Sequence, residues 1–167
     1  DVDVPPFRRA AMDGYAVRAA DAFGATLHAP LRLRLAGESM PGAGAQPPVL
    51  AGSCCRIMTG AAVPDGADAV LPAEKARAGD GFVDATDEVT PGRNVGRIGE
   101  DVARGDALLA RGRRLRPQDV GLLASIGCEP VPVVRRPRVR LLVTGNELLA
   151  PGARPGGGRI VDSNSPM

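Results

Sequence analysis

Aromatic residues are scarce in this sequence of 167 residues, which has three Phe, one Tyr and no Trp. A hydrophobic core must therefore be built mainly from Val, Leu, Ile and Ala. The same scarcity argues against binding of single-stranded nucleic acid, because proteins of that kind stack bases on aromatic side chains. The densest basic clusters, at residues 111–116 and 135–140, contain no aromatic residue. We therefore expect no nucleic-acid partner.

The sequence also offers little for a disulfide framework or a zinc site. It has three Cys without C-x-x-C spacing, and His28 is its only histidine. We expect reduced and mostly buried thiols, as in a cytoplasmic protein. No apolar run approaches the roughly 20 residues that a membrane-spanning helix needs, so we expect no membrane partner.

Gly and Pro, by contrast, are abundant, at 22 and 16 residues, a composition that suits a loop-rich and β-rich protein. The length predicts one domain or two small ones. Residues 31–35 alternate strictly between Leu and Arg, which predicts a half-buried strand with its leucines inward. A Gly- and Pro-rich loop is expected at residues 37–48. Further short strands are predicted at residues 54–58, 69–71 and 82–84. This spacing predicts a β-rich module from about residue 26 to residue 96.

One helix is predicted at residues 117–126, because Pro117 suits a first helical position and Gly127 suits a C-terminal cap. We expect the apolar face of this helix to contact the core. That face comprises Val120, Leu123, Ala124 and Ile126.

The apolar run at residues 139–143 predicts a buried strand that opens directly into Thr144-Gly145. The first strand of an open α/β sheet delivers a ligand loop at its carboxyl end in this way. Because only about 20 residues follow this loop, we expect a new α/β domain that begins here and is cut off.

Four short motifs place an acidic or hydroxyl side chain beside a Gly, where the backbone turns sharply and approaches a ligand closely. In the first, Asp13 precedes Gly14, and the carboxylate either bonds its own backbone in a turn or faces a polar ligand. In the second, Thr59 precedes Gly60 at a strand end. This motif is either an ordinary strand exit or a corner where the hydroxyl and adjacent N–H groups accept an anion such as phosphate.

The other two motifs contain carboxylates. Glu100 and Asp101 follow Gly99, and they form either a solvated acidic turn that balances nearby Arg or part of a site. Residues 144–147 follow the predicted strand, and Glu147 is either a first-turn acid of a helix or a ligand-binding carboxylate. No motif decides between its two interpretations alone. Four of them, separated by strand-like segments, predict a site assembled from several loops.

The order of these motifs resembles that of one family, the molybdopterin molybdenumtransferases of the MoeA type, a fold shared with the E domain of gephyrin. The resemblance runs along essentially the whole sequence. It rests on Val4-Pro5-Pro6-Phe7, Ala11-Met12-Asp13-Gly14-Tyr15-Ala16-Val17, Ala36-Gly37-Glu38, Arg56-Ile57-Met58-Thr59-Gly60-Ala61, Pro64-Asp65-Gly66-Ala67-Asp68-Ala69-Val70, Gly99-Glu100-Asp101 and Thr144-Gly145-Asn146-Glu147-Leu148.

The fold implied by this resemblance is α+β in three parts. Residues 1–25 and 97–135 would form a mixed α/β domain, and residues 26–96 a β-rich inserted domain. Residues 136–167 would be the truncated start of an α/β domain of the molybdopterin-binding type, beginning with its first strand. The family's N-terminal helical stretch and its later domains are not in this sequence, so we expect the fragment to be inactive alone.

The activity implied by the resemblance belongs to molybdenum cofactor biosynthesis: molybdenum from molybdate is inserted into adenylylated molybdopterin, and AMP is released. The resemblance also implies a Mg²⁺ requirement and a cytoplasmic homodimer whose cleft joins two subunits. The implied catalytic residues are Asp13, Thr59, Asp101 and Glu147, and the implied cofactor-binding residues are Gly14, Gly60, Thr144 and Gly145. No metal ligand is assigned, although carboxylates such as those of Asp101 and Glu147 suit Mg²⁺.

The sequence departs from the family pattern at two sites. Residues 8–10 are Arg-Arg-Ala, where the family usually has acidic or polar residues and a Ser, so the local charge beside Asp13 is reversed. Asn146 stands where the family usually has Asp, which removes a carboxylate beside Glu147. These departures leave open a second interpretation, a non-catalytic scaffold or interaction module of the same fold. The choice between molybdate and tungstate is open as well.

Overall fold

The computed structural model describes residues 2–44 and 46–166. The chain divides into two compact units, unit 1 at residues 1–129 and unit 2 at residues 130–167. In chain order the elements are β1 (Arg9–Ala10), β2 (Gly14–Val17), β3 (Leu31–Ser39), β4 (Ser53–Ile57), β5 (Ala69–Pro72), β6 (Ala76–Ala78), β7 (Phe82–Ala85), β8 (Val95–Gly96), α1 (Pro117–Ser125), β9 (Leu148–Leu149) and β10 (Ile160–Val161). Across the described ranges, no helix combines the length and apolar character that crossing a bilayer requires.

Unit 1 is built on a six-stranded sheet with the order β5-β2-β4-β3-β7-β6. Neighbouring strands are antiparallel except β3 and β4, which run parallel. Five of the six strands lie within residues 26–96, which are mainly β as predicted. The sixth, β2, comes from outside that range and pairs with both β4 and β5. The three-part domain division stays a prediction. Strand β2, from the predicted mixed α/β domain, belongs to the same sheet as the strands of the predicted β-rich domain.

Strand β3 begins where the Leu–Arg alternation predicted it. Leu33 is buried and Arg34 is exposed, while Arg32 stacks 3.7 Å above the ring of Phe82 and donates to both carboxylate oxygens of Asp84 at 2.8 and 2.9 Å. The predicted loop from residue 37 is wrong for its first three residues, because β3 continues to Ser39. A register shift after Leu35 lets this continuation pair with β4.

Two buried clusters lie on opposite faces of the unit 1 sheet, since adjacent side chains of a strand point to opposite sides. One buried cluster comprises Val17, Ala19, Ala22, Ala25, Leu33, Cys54, Ala69, Leu71, Val83, Ala85 and Val89. The other comprises Ala10, Ala16, Val49, Cys55, Ile57, Ala61, Val63, Ala67 and Val70. The core is therefore built from Val, Leu, Ile and Ala, with two Cys, as the scarcity of aromatics predicted.

The two adjacent cysteines of β4 lie on opposite faces of the sheet and are free thiols. Burial, with a smaller contribution from the neighbouring Cys55, raises the pKa of Cys54 to about 12. Burial also raises the pKa of Cys55. Because the thiolate is the reactive form of cysteine, these two side chains act as small core residues. The predicted burial is confirmed for these two thiols, whereas Cys128 is half-buried.

Helix α1 forms at Pro117–Ser125, close to the predicted range, and Gly127 follows it with a φ of 69°, the left-handed conformation that a C-terminal cap requires. The predicted core contact of its apolar face is wrong. Val120 is 55% exposed, and Leu123 is only half-buried. The helix is therefore attached through a polar side chain instead of an apolar stripe.

That polar side chain is Asp119, the buried residue of α1. Arg113 donates to its two carboxylate oxygens at 3.1 and 2.9 Å, and the backbone N–H of Arg116 donates to it at 2.9 Å. These bonds, led by the Arg113 side chain, lower the pKa of Asp119 from 3.8 to about 2. The carboxylate thus closes the first turn of the helix and binds it to the preceding loop.

We expect Asp119→Asn to destabilise α1 at neutral pH and to remove part of its acid sensitivity. Because the folded-state pKa is lowered, the carboxylate contributes stability above pH about 4, and this contribution is lost as the pH falls from about 4 to about 2. Amide exchange at residues 117–125 measures the effect. The protection of parent and variant should differ at pH 6 and converge towards pH 2; an equal difference at both ends would contradict the assignment.

In unit 2, the predicted buried strand at residues 139–143 is absent from the structure. A strand exists through hydrogen bonds to a neighbouring strand, and in the described part of unit 2 these residues pair with none. Their side chains are exposed, as Leu142 is to 87%. The pairing lies further along the chain, where β9 and β10 are parallel with Leu148 opposite Ile160.

Candidate active site

Asp13 and Thr59 come together at one end of the unit 1 sheet. Strands β2 and β4 are antiparallel with Gly14 opposite Ile57, so the residue before β2 lies beside the residues that follow β4. The Oδ1 atom of Asp13 accepts the backbone N–H of Thr59 at 2.8 Å and its hydroxyl at 2.6 Å. Both side chains are exposed. The two motifs that are 46 residues apart in sequence therefore form one polar pair.

The hydrogen bonds of this pair fix its chemical character. The pKa of Asp13 is lowered, mainly by the hydrogen bond from the Thr59 hydroxyl, then by that from the Thr59 backbone N–H, and least by the charge of Arg56. The Asp13 carboxyl is therefore ionised at neutral pH. An ionised carboxylate only accepts hydrogen bonds, so the Thr59 hydroxyl donates its proton to Asp13. What the pair offers to a ligand is lone pairs of oxygen, and its ligand must bring donors or positive charge.

Of the two interpretations of the Thr59-Gly60 motif, the anion-accepting corner is not present in the structure. The N–H of Thr59 is donated to Asp13, that of Gly60 to the carbonyl oxygen of Ala10 at 2.9 Å, and that of Ala61 to Met58 at 2.9 Å. No N–H of residues 59–61 is left for an anion. Gly60 is needed for its left-handed φ of 81°, and its role in cofactor binding stays a prediction.

Asp101 and Glu100 lie on a loop that the N-terminal segment holds. The N–H of Asp101 donates to the carbonyl oxygen of Val4 at 2.9 Å, and the N–H of Gly99 donates to Pro5 at 2.9 Å. The side chain of Asp101 accepts a hydrogen bond from Arg9 at 3.2 Å, and Arg9 lies 3.8 Å from Glu100. Asp101 thus has a cationic partner that sequence reasoning missed, because the two residues are 92 positions apart.

Strand β1 connects these two groups of residues. It pairs with β8 on one side, while residues 8–10 exchange backbone hydrogen bonds with residues 60–63 on the other. Arg9 and Asp13 are four residues apart, so their Cα atoms are at most about 14 Å apart. Three of the predicted catalytic residues thus lie in unit 1: Asp13 and Thr59 are in direct contact, and Asp101 is paired with Arg9 of β1.

The remaining predicted residues, Thr144, Gly145 and Glu147, lie in unit 2. Gly145 has a φ of 147°, and a Cβ on it would fall 2.7 Å from the Glu147 carboxylate, so this turn requires Gly. The N–H of Leu148 closes it on the carbonyl oxygen of Gly145 at 3.2 Å. Glu147 is exposed, and it forms no ion pair within the described part of unit 2.

A cavity of about 330 Å³ lies within unit 2 beside these residues, with Thr144 in its lining. Residues 162–165 line it as well, and the carboxylate of Asp162 accepts the N–H groups of Asn164 and Ser165 at 3.0 and 3.1 Å. The sequence analysis did not single out this loop. The signal was present: the apolar pair Ile160-Val161 opens into Asp162-Ser163-Asn164, just as Leu142-Val143 opens into Thr144-Gly145.

The fit of these residues to Mg²⁺ differs between the two units. Across residues 2–44 and 46–166, no three His, Cys, Asp or Glu side chains form a group that would hold a metal ion by themselves. Mg²⁺ is commonly bound by one or two carboxylates together with substrate phosphates. Glu147 fits that pattern as an exposed carboxylate. Asp101 does not, because Arg9 already neutralises it.

Known proteins that are similar to this chain belong to one family. A family model described as the MoeA N-terminal region, domain I and II, matches residues 1–127. Molybdopterin molybdenumtransferase 2 of Mycobacterium tuberculosis (strain CDC 1551 / Oshkosh) is 41% identical over 166 residues, which cover 99% of this chain and 41% of that protein. The molybdopterin molybdenumtransferase of Bacillus subtilis is 38% identical over 171 residues, covering 100% and 40%.

The structural comparison gives the same result. The crystal structure of the molybdopterin biosynthesis moeA protein from Pyrococcus horikoshii OT3 matches with a TM-score of 0.88 and 38% identity, covering 99% of this chain and 44% of that one. The chain thus spans about two fifths of the length of the curated relatives it matches. By its family model, its identities and its fold, the chain belongs to the MoeA family of molybdopterin molybdenumtransferases.

Proposed function

We propose that this chain carries part of the active site of an enzyme that inserts molybdenum from molybdate into adenylylated molybdopterin and releases AMP. The observation that supports this most is the Asp13–Thr59 pair, held at 2.6 Å by β2 and β4 and exposed to a ligand. The chain's relatives are named for molybdopterin chemistry. In this proposal Asp13, Thr59, Asp101 and Glu147 are catalytic residues, and the glycines beside them allow close approach of the cofactor.

The Asp13–Thr59 pair suits the pterin end of the substrate. An ionised carboxylate and a hydroxyl whose proton is already donated present acceptor oxygens only. A pterin carries an amino group and ring N–H groups, which are donors, whereas the phosphates of the adenylyl group are acceptors and negatively charged. We therefore assign the pterin ring to this pair, and the phosphates to another part of the site.

Glu147 and the cavity of unit 2 suit the phosphate end. In this proposal Glu147 would hold Mg²⁺, which would supply positive charge to the phosphates of the substrate. Thr144 and the N–H groups around Gly145 would orient the same end of the substrate. Positioning and charge neutralisation are the main protein contributions to splitting a phosphoanhydride, so residues of these types are sufficient for that role.

The assembly and location of the protein belong to the same proposal. We infer a cytoplasmic homodimer in which Asp13 and Thr59 of one subunit complete the cleft that contains Glu147 of the other. We also infer that residues 136–167 begin an α/β domain. The exposed apolar side chains at residues 139–143 support this inference, since they need a partner to bury them.

The proposed reaction is tested with the full-length protein that contains this chain. Incubation with adenylylated molybdopterin, molybdate and Mg²⁺ should release AMP and form molybdenum cofactor in equal amounts, and omission of molybdate should stop cofactor formation. The 167-residue chain alone should be inactive. Full-length protein that binds adenylylated molybdopterin but never releases AMP would contradict the proposal.

A second candidate function is a non-catalytic scaffold of the same fold. Asn146, which stands where the family usually has Asp, and the pairing of Asp101 with Arg9 favour it, because both reduce the free carboxylates of the site. The same assay separates the two functions. A scaffold would release no AMP under any condition, whereas the enzyme would turn over.

A further inference from the structure

A salt bridge at the Asp101 carboxylate places a positive charge beside a group whose chemistry would otherwise suit Mg²⁺. Nη2 of Arg9 lies 3.2 Å from Oδ1 of Asp101 and 3.8 Å from Oε2 of Glu100. The Glu100 carboxylate also accepts the backbone N–H of Arg97 at 3.2 Å. One guanidinium thus lies between two carboxylates on the same loop.

The backbone of this loop is fixed independently of Arg9. The N–H of Val4 donates to the carbonyl oxygen of Val102 at 2.8 Å, and the N–H of Val102 donates to that of Val4 at 3.1 Å. The N–H groups of Asp101 and Gly99 donate to the carbonyl oxygens of residues 4 and 5. The backbone that carries Asp101 is therefore held in place by residues 4 and 5. Arg9 is held by β1, which pairs with β8. The ion pair joins two elements that are already ordered.

The packing around Arg9 is close on the β8 side. A Cβ on Gly96, which is opposite Arg9 in the β1–β8 pair, would fall 2.5 Å from Oε2 of Glu100 and 3.1 Å from Cγ of Arg9. The absence of a side chain at residue 96 is what allows the arginine stem and the Glu100 carboxylate to lie across β8. The cationic group therefore occupies a defined position beside both carboxylates.

We propose that Arg9 is the resident counter-cation of Asp101 and Glu100 and that it excludes divalent metal ions from them. Mg²⁺ is bound through free carboxylate oxygens, and it gives up its water reluctantly. A guanidinium at 3.2 Å both occupies an oxygen of Asp101 and repels a doubly charged ion. The inference concerns metal binding by the chain itself, so it does not depend on the proposed reaction and survives if the insertion assay fails.

The test uses the 167-residue chain and Mn²⁺, a paramagnetic ion that takes the same oxygen ligands as Mg²⁺. Mn²⁺ broadens amide signals near its binding site, so titration reports binding at residues 99–102 directly. The parent chain should need about tenfold more Mn²⁺ than Arg9→Asn to show the same broadening there. Arg9→Asn should bind Mn²⁺ at this loop about tenfold more tightly, the order expected when one unit charge beside a divalent ion is removed from a partly exposed position.

Two further variants make the test specific. Arg97→Asn removes the same charge from the same loop but leaves the Arg9–Asp101 pair, so its affinity for Mn²⁺ should stay close to that of the parent. Arg9→Asn combined with Asp101→Asn should lose the affinity that Arg9→Asn gained, which would locate the ion at Asp101. If Arg9→Asn disturbs the fold, Arg9→Gln, which keeps most of the side-chain stem, replaces it in the same comparison.

Two results would overturn the proposal. One is broadening of residues 99–102 at the same Mn²⁺ concentrations in the parent chain as in Arg9→Asn. The other is an equal gain in affinity for Arg9→Asn and Arg97→Asn, which would show a general effect of net charge instead of exclusion by Arg9. Arg9→Lys keeps the charge and should still exclude Mn²⁺, since the charge and not the shape of the guanidinium is the cause.

Discussion

Asp13→Asn should slow molybdenum insertion by the full-length enzyme about 10² to 10³-fold while leaving its fold unchanged, the usual cost of removing one group that stabilises reacting charge. The side chain is exposed, and an Asn Oδ1 still accepts both donors of Thr59. The substitution therefore removes the charge and keeps the turn. The measurement is the initial rate of cofactor formation from adenylylated molybdopterin and molybdate, with thermal unfolding as the check on folding.

Variants of Thr59 and Asp65 provide the controls for this result. Thr59→Val keeps the shape but removes the hydroxyl that Asp13 accepts, so it should slow the reaction, whereas Thr59→Ser should retain most of the rate. Asp65→Asn removes an exposed carboxylate elsewhere in unit 1 and should have no effect. If Asp13→Asn is as active as Asp65→Asn, the Asp13–Thr59 pair only stabilises a turn.

Gly14→Ala should destabilise the protein by about 3 kcal/mol or more, beyond the usual range for one added methyl group. A Cβ at residue 14 would overlap the carbonyl oxygen of Leu71 and lie 3.1 Å from the N atom of Ala73. Both contacting groups are backbone atoms, and β2 is hydrogen-bonded to β4 on one side and to β5 on the other. Neither β2 nor β5 can therefore move away without breaking hydrogen bonds between the strands. Urea denaturation followed by circular dichroism measures the loss.

Gly121→Ala is the matched control for Gly14→Ala. Gly121 lies within α1, and a Cβ on it would meet nothing within 4 Å. Replacing a helical Gly by Ala typically stabilises a protein by about 0.5–1 kcal/mol. The two substitutions add the same methyl group and should therefore change stability in opposite directions. Equal stability of Gly14→Ala and the parent would mean that β2 and β5 are further apart than in this structure.

Local sequence patterns predicted four of the six strands of the unit 1 sheet. Strands β3, β4, β5 and β7 carry apolar alternation or short apolar runs between turns, so each is recognisable by itself. Strand β2 was not predicted, because Gly14–Val17 is a short apolar segment whose conformation depends on pairing with two distant strands. The extended conformation expected at residues 139–143 failed for the converse reason, since an apolar run without a partner forms no ladder.

The candidate site shows the same division between local and long-range information. The motifs were found from sequence because Asp13-Gly14 and Thr59-Gly60 are local patterns, yet their hydrogen bonds are not. The N–H groups expected to bind an anion are donated to residues 10, 13 and 58. The pairing of Arg9 with Asp101 likewise depends on contacts across 92 positions. A sequence identifies the polar groups, but only the fold determines which of them are free for a ligand.

In the proposed homodimer, Asp13 of one subunit and Glu147 of the other act in one cleft. Full-length Asp13→Asn and Glu147→Gln should each be nearly inactive alone. After subunit exchange of an equal mixture, half of the dimers are mixed and each has one intact cleft of two, so about one quarter of the parent activity should return. A mixture of Asp13→Asn with Thr59→Ala, which alter the same side of the cleft, should restore none.

The decisive measurement is therefore the rate of molybdenum cofactor formation by the exchanged Asp13→Asn and Glu147→Gln mixture, with exchange verified by native mass spectrometry of differently labelled subunits. A shared cleft predicts a return to about one quarter of the parent rate. Verified exchange without any return of activity would contradict a cleft shared between Asp13 and Glu147 of different subunits.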